Sequence, residues 1–66
     1  MSDFELKTFI EKILTQTHWL LVREYGYTRK EAADLINKSK LAESIERKPL
    51  LFAHMTPDQV IDCVLD

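Results

Sequence analysis

The stretch "VREYGYTRKEAADLI", Val22 to Ile36, decides the fold. It holds the only glycine of the chain, Gly26, and two residues later Thr28, with Glu31 three places beyond it. A Ser or Thr followed three places on by Glu or Gln is a capping box. The hydroxyl accepts from the third helical N–H while the acid or amide reaches back to the cap's own N–H. Glycine supplies the left-handed conformation on which helices commonly end. The stretch therefore reads as one helix stopped at Gly26 and a second started at Thr28.

The same start is written twice more, as "SDFE" at Ser2 and "TPDQ" at Thr56. Each cap is bracketed by a pair able to form a hydrophobic staple: Met1 with Leu6, Tyr27 with Ala32, Met55 with Val60. Pro57 falls at the first helical position, where its missing N–H costs nothing. The first helix is expected from Asp3 to about Glu24, roughly 33 Å long at 1.5 Å per residue. Its apolar period runs through Leu6, Phe9, Ile10, Ile13, Thr17, Leu20 and Leu21. A second stripe follows Leu14, His18, Leu21, Val22 and Tyr25.

The second helix is expected from Arg29 to about Lys38, with Ala32, Ala33, Leu35 and Ile36 inward. A short third helix, "KLAESIER", buries Leu41, Ala42 and Ile45 and is stopped by Pro49. "LLFAHM" is an apolar connector read as a short helical turn. The last helix runs from Pro57 to about Leu65, with Val60, Ile61, Val64 and Leu65 inward. No strand-type alternation or hairpin turn appears. The expected fold is all-α, a small bundle of three to four helices in one domain, residues 1–66, with one long N-terminal helix.

At 66 residues the chain is near the lower limit for a self-sufficient core. Its single cysteine, Cys63, excludes an internal disulfide framework and suggests a reducing, cytoplasmic setting. One Cys and two distant histidines, His18 and His54, do not make up the four-ligand set of a zinc site. No apolar run approaches the roughly 20 residues of a membrane span. The net charge of −2 disfavours nonspecific nucleic-acid binding.

Catalysis needs a nucleophile within reach of a base. Cys63 is read as a small core residue, His54 as a packed or capping side chain, and His18 as a rim residue. One glycine cannot build a phosphate-cradling loop. Asp58, Asp62 and Asp66 recur every four residues and read as a solvated helix face. No enzymatic activity, cofactor or metal is expected.

Arg29 and Lys30 stand in the first turn of a helix, where acids are preferred. Between Arg23 and Lys48 there are seven basic and five acidic residues, a local +2 in an acidic chain. Trp19, Tyr25 and Tyr27 flank the same corner. The double apolar stripe of the first helix suggests a covering partner, either another protein or a second copy. The expected partner-binding residues are Trp19, Val22, Tyr25, Tyr27, Arg29 and Lys30.

Two resemblances bear on function. "YTRKEAADLINKSKLAESIERKP" looks like the helix-turn-helix of excisionase and MerR-type DNA-binding proteins. That likeness would place Ser39, Lys40, Glu43 and Arg47 against DNA. Most of the chain is similar to the bacterial domain of unknown function 3791. The matching positions are Tyr25 to Thr28, Glu31, Leu35, Leu41, Ile45, His54, Thr56, Val60, Ile61 and Asp62. This resemblance implies a small cytoplasmic bacterial helical protein without known chemistry, in some cases encoded beside a toxin-like enzyme. An antitoxin-like protein–protein interaction module is the expectation, with a DNA-binding regulator as the alternative.

Overall fold

The computed structural model describes residues 2–65. It is all-α, with five helices in the order α1 (Asp3–Arg23), α2 (Arg29–Ser39), α3 (Leu41–Arg47), α4 (Pro49–Ala53) and α5 (Pro57–Leu65). No strand occurs among the described residues. The bundle and its long first helix agree with the sequence. The helix count is higher because the connector "LLFA" is itself helical. Pro49 occupies the first position of α4, where its preset φ favours a helix start. The same proline thus ends α3 and begins α4.

Hydrogen bonds of short sequence range set the helix starts. Ser2 Oγ accepts from the Glu5 N–H at 3.2 Å. At Thr28 both halves of the box form: Thr28 N–H donates to Glu31 Oε1 at 3.0 Å, and Glu31 N–H donates to Thr28 Oγ1 at 3.1 Å. Thr56 and Gln59 repeat the pattern at 2.9 and 3.2 Å. Tyr27 and Met55 are half-buried against the core, and Ala32 and Val60 are buried, as stapled residues should be. The Met1–Leu6 staple lies outside the described residues, because Met1 does.

Two left-handed residues turn the chain. α1 ends at Glu24, whose N–H donates to the Leu20 carbonyl at 2.8 Å. Gly26, at φ 76°, then folds the chain back so that Tyr27 N–H donates to the Leu21 carbonyl at 3.1 Å. The second is Lys40, at φ 55° and ψ 40°, the single residue between α2 and α3. Its N–H donates to the Asn37 carbonyl, and its own carbonyl accepts from Ser44 N–H, the first bond of α3. A side chain in this region costs roughly 1–2 kcal/mol. The α2–α3 corner needs a left-handed residue, and the chain supplies a lysine instead of a glycine.

Every helix contributes to one core. Ile13 and Leu21 come from α1, Ala32 and Ile36 from α2, Leu41 and Ile45 from α3, Phe52 from α4, and Val60, Ile61 and Val64 from α5. Leu21, Ile45 and Ile61 are wholly enclosed. α1 packs against α2, α3 and α5, and the molecule measures 34 × 19 × 18 Å. Its long dimension is close to the ~31 Å that 21 helical residues span.

The short helices cover most of the second stripe of α1. Leu14 and Val22 are half-buried on the core, and only Tyr25 at its end stays exposed. Four inward expectations are corrected. Ala33, Cys63 and Leu65 are exposed and Ala42 is half-buried. On α5 the residues Val60, Ile61 and Val64 fill one arc of about 100°, and Cys63 and Leu65 fall on its flanks, beyond reach of α1 and α2.

The two turns make opposite predictions. Lys40→Gly is expected to stabilise the fold by about 0.5–1 kcal/mol, strain relief exceeding the added unfolded-state entropy. Gly26→Ala is expected to destabilise it by about 1–2 kcal/mol through backbone strain alone, since nothing lies within 4 Å of the added Cβ. Urea titrations of the two variants beside the wild type would check both signs.

Candidate functional site

The corner between α1 and α2 gathers the exposed aromatic and basic groups. Trp19 lies one turn before the end of α1 and is 39% exposed. The Arg23 guanidinium, one turn further along α1, lies 5.8 Å from the centre of the indole ring. The Arg29 guanidinium reaches the same ring from the first position of α2, at 5.3 Å. Both distances fall within the range of cation–π attraction, roughly 6 Å from the ring centroid.

His18 ties the two helices at this point. Its Nε2–H donates to the Arg29 carbonyl at 3.2 Å, which sets the proton on that nitrogen. Its ring also meets Trp19 edge-on, with centroids 5.2 Å apart and planes at 82°. Two flexible cationic side chains are thus held against a rigid aromatic platform, and the start of α2 is hydrogen-bonded to α1 beneath it.

The structure divides the expected partner-binding set. Trp19, Tyr25, Arg29 and Lys30 are exposed at the corner, with Tyr25 at 43%. Val22 and Tyr27 are half-buried on the core and hold the corner in place. Arg23 is the residue that sequence reading passed over. Its signal was present: it stands four residues after Trp19, on the same helix face. Phe4, Leu50 and Leu51, exposed at 79%, 72% and 53%, were also not among the expected partner-binding residues.

The helix-turn-helix positions are arranged differently from that motif. The junction of α2 and α3 is Lys40 alone, against a usual turn of three to four residues, and α3 has only 7 residues. Ser39 is half-buried and its hydroxyl donates to the Ile36 carbonyl at 2.8 Å. Lys40, Glu43 and Arg47 are exposed.

The residues of a type able to carry chemistry are dispersed. Cys63 is exposed on α5 rather than packed in the core. His54 is also exposed, and caps α4 through its backbone N–H rather than through a packed side chain. Asp58 and Asp62 face solvent on α5, and Asp66 lies outside the described residues. Among the described residues no three His, Cys, Asp or Glu side chains come together in a way that could hold a metal ion. No helix among them is long and apolar enough to cross a membrane.

Comparison with known proteins adds no relative: no family model matches the chain, and neither the curated proteins nor the solved structures contain a match.

Glu31 has a lowered pKa, because its carboxylate accepts first from the Thr28 N–H and then interacts with the Thr28 hydroxyl. The folded state therefore binds the Glu31 proton less tightly than the unfolded chain does. The resulting stabilisation is fully present above the ordinary value of 4.5 and is lost as pH falls through the lowered folded value. Glu31→Gln keeps a neutral acceptor and removes the charge. Its melting temperature is expected to lie below that of the wild type at neutral pH and to converge with it in acid. Thermal melts from pH 7 to pH 3 by circular dichroism would show the convergence.

Proposed function

We propose that this protein is a small non-enzymatic protein–protein interaction module, an antitoxin-like accessory protein that acts by occupying a larger partner. The observation that carries the reading is Trp19 held half-open beneath the Arg23 and Arg29 guanidinium groups. Trp, Tyr and Arg are the residue types that dominate binding hot spots. Aromatic stacking lowers the conformational entropy that a free arginine loses on binding. The partner surface best matched to this corner is acidic at its rim, facing Arg23, Arg29 and Lys30, and offers an apolar recess for Trp19 and Tyr25.

The likeness to a bacterial family in some cases encoded beside toxin-like enzymes supports the antitoxin-like role, and the lone cysteine supports a reducing cytoplasm. A regulator bound to nucleic acid is the alternative reading. The single-residue α2–α3 junction and the engaged Ser39 hydroxyl offer it no particular support.

The double variant Arg29→Glu/Lys30→Glu separates binding from folding. Acids in the first turn of α2 complement the helix dipole, which contributes about 0.3–1 kcal/mol each. That gain is partly offset by the loss of the Arg29–Trp19 contact. The variant is expected to fold with nearly unchanged stability and to lose partner binding. Tagged wild type and variant would be compared in nuclease-treated lysate of the host, with melting curves run alongside. Equal recovery of the same stoichiometric protein by both would remove the corner from the interface. Recovery of nucleic acid that disappears at moderate salt would favour the alternative.

A further inference from the structure

We propose that the outer face of α1 pairs antiparallel with the same face of a second copy of this chain. The proposal rests on the interaction-module reading and adds a second copy as an occupant of α1, on a face that shares Trp19 with the α1–α2 corner and extends away from it to Phe4. On α1 the residues Phe4, Thr8, Glu11, Thr15 and Trp19 recur at spacings of four, three, four and four, which places them along one side of the helix. Lys12 adjoins Glu11 on that side. All six are exposed, and an open groove runs along this face from Thr8 to Trp19 and beyond. α3 and α5 pack elsewhere on α1, and from α2 Arg29 reaches this face only at Trp19, so among the described residues no helix covers it from Phe4 to Thr15.

The order of chemistry along this face reads the same when reversed. With the midpoint between Glu11 and Lys12, an antiparallel second copy sets Phe4 opposite Trp19, Thr8 opposite Thr15, and Glu11 opposite Lys12. By symmetry each pairing occurs twice, as a two-fold interface requires. The flanking positions follow: Glu5 falls opposite His18 and Lys7 opposite Gln16, so no like charges meet at any of these pairs.

A parallel arrangement would instead oppose Glu11 to Glu11 and Lys12 to Lys12. The antiparallel register joins two aromatic contacts, about 22 Å apart along the helix, through a central four-charge cluster of alternating sign. Phe4 is 79% exposed, and this pairing covers it with the indole of the second copy. One pair of helix faces of this length buries less than the roughly 800 Å² per partner of a standard interface, so the dimer is expected to be weak and concentration-dependent.

Sedimentation equilibrium across micromolar to millimolar concentrations tests the register by charge exchange. Trp19, the only tryptophan, reports on the same interface through its fluorescence. Wild type is expected to dimerise with a blue shift of Trp19 emission as concentration rises. Glu11→Lys alone, and Lys12→Glu alone, each turn both symmetry-related pairs repulsive and are expected to weaken association roughly tenfold. The double exchange Glu11→Lys/Lys12→Glu restores opposite charges and is expected to recover wild-type dimerisation.

Phe4→Ala is expected to weaken the dimer and abolish the blue shift. All these positions are exposed, and far-ultraviolet circular dichroism confirms that each variant is folded. A wild type that stays monomeric, or a dimer indifferent to single and double exchange, would overturn the proposal. A monomer that still captures a partner through Arg29 and Lys30 would do so while leaving the interaction-module reading in place. If neither self-association nor capture occurs, both are overturned.

Discussion

The seam of α1 formed by Ile13, Thr17 and Leu21 is the surface on which the rest of the chain is assembled. None of the other helices exceeds 11 residues, and isolated helices of that length are marginal in water. α2 and α5 gain order by burying their apolar arcs against α1 and each other, α3 by burying Leu41 and Ile45 against α1 and α2, and α4 by inserting Phe52 beneath them. Leu21 is completely enclosed. A chain of this size has little core to spare. Covering both stripes of the long helix with short elements leaves α1 one free side.

That free side and the α1–α2 corner meet at Trp19. The indole stands outside the core, where Arg23 and Arg29 lie over it. His18, its neighbour, is committed inward to the Arg29 carbonyl. The hydrogen bond and the stacking act together, since both fix the start of α2 relative to the end of α1. Rigidity at this corner is a condition for presenting an aromatic contact at low entropic cost. It follows from the turn at Gly26, which returns the chain tightly enough for Tyr27 N–H to reach the Leu21 carbonyl.

The alternative functional readings differ in how the geometry treats them. The resemblance to DNA-binding helix pairs rests on the spacing of apolar and capping residues in α2 and α3, and that spacing is also what packs two short helices on a longer one. The spacing alone therefore does not distinguish a recognition helix from a structural one. The left-handed Lys40 makes the junction too short for the usual turn. The aromatic-basic corner, in contrast, has exposure and preorganisation that packing alone does not require.

Helix starts were legible because capping acts over three residues: the Ser2, Thr28 and Thr56 hydroxyls accept from the N–H groups of Glu5, Glu31 and Gln59, and the Glu31 and Gln59 side chains reach back. The long first helix, the reversal near Gly26 and most of the core followed from the same local rules and the 3.6-residue period. Exposure was decided by the tertiary structure. Cys63, Leu65 and Ala33 lie on helices whose inner arcs the neighbouring elements cover only in part, and sequence has no term for the width of that cover.

The same holds for the candidate site. Trp19, Arg29 and Lys30 could be named from their residue types, and Arg23 stands one turn after Trp19 on α1, but Arg29 met the same ring only once α1 and α2 were brought together. Lys40 shows the limit most clearly, since its left-handed turn contradicts local preference and is held by the packing of Ile36, Leu41 and Ile45 on either side of it. Hydrogen bonds and backbone preferences act within a few residues and so can be read along the chain. Burial depends on which distant surfaces arrive, and only the assembled bundle determines that.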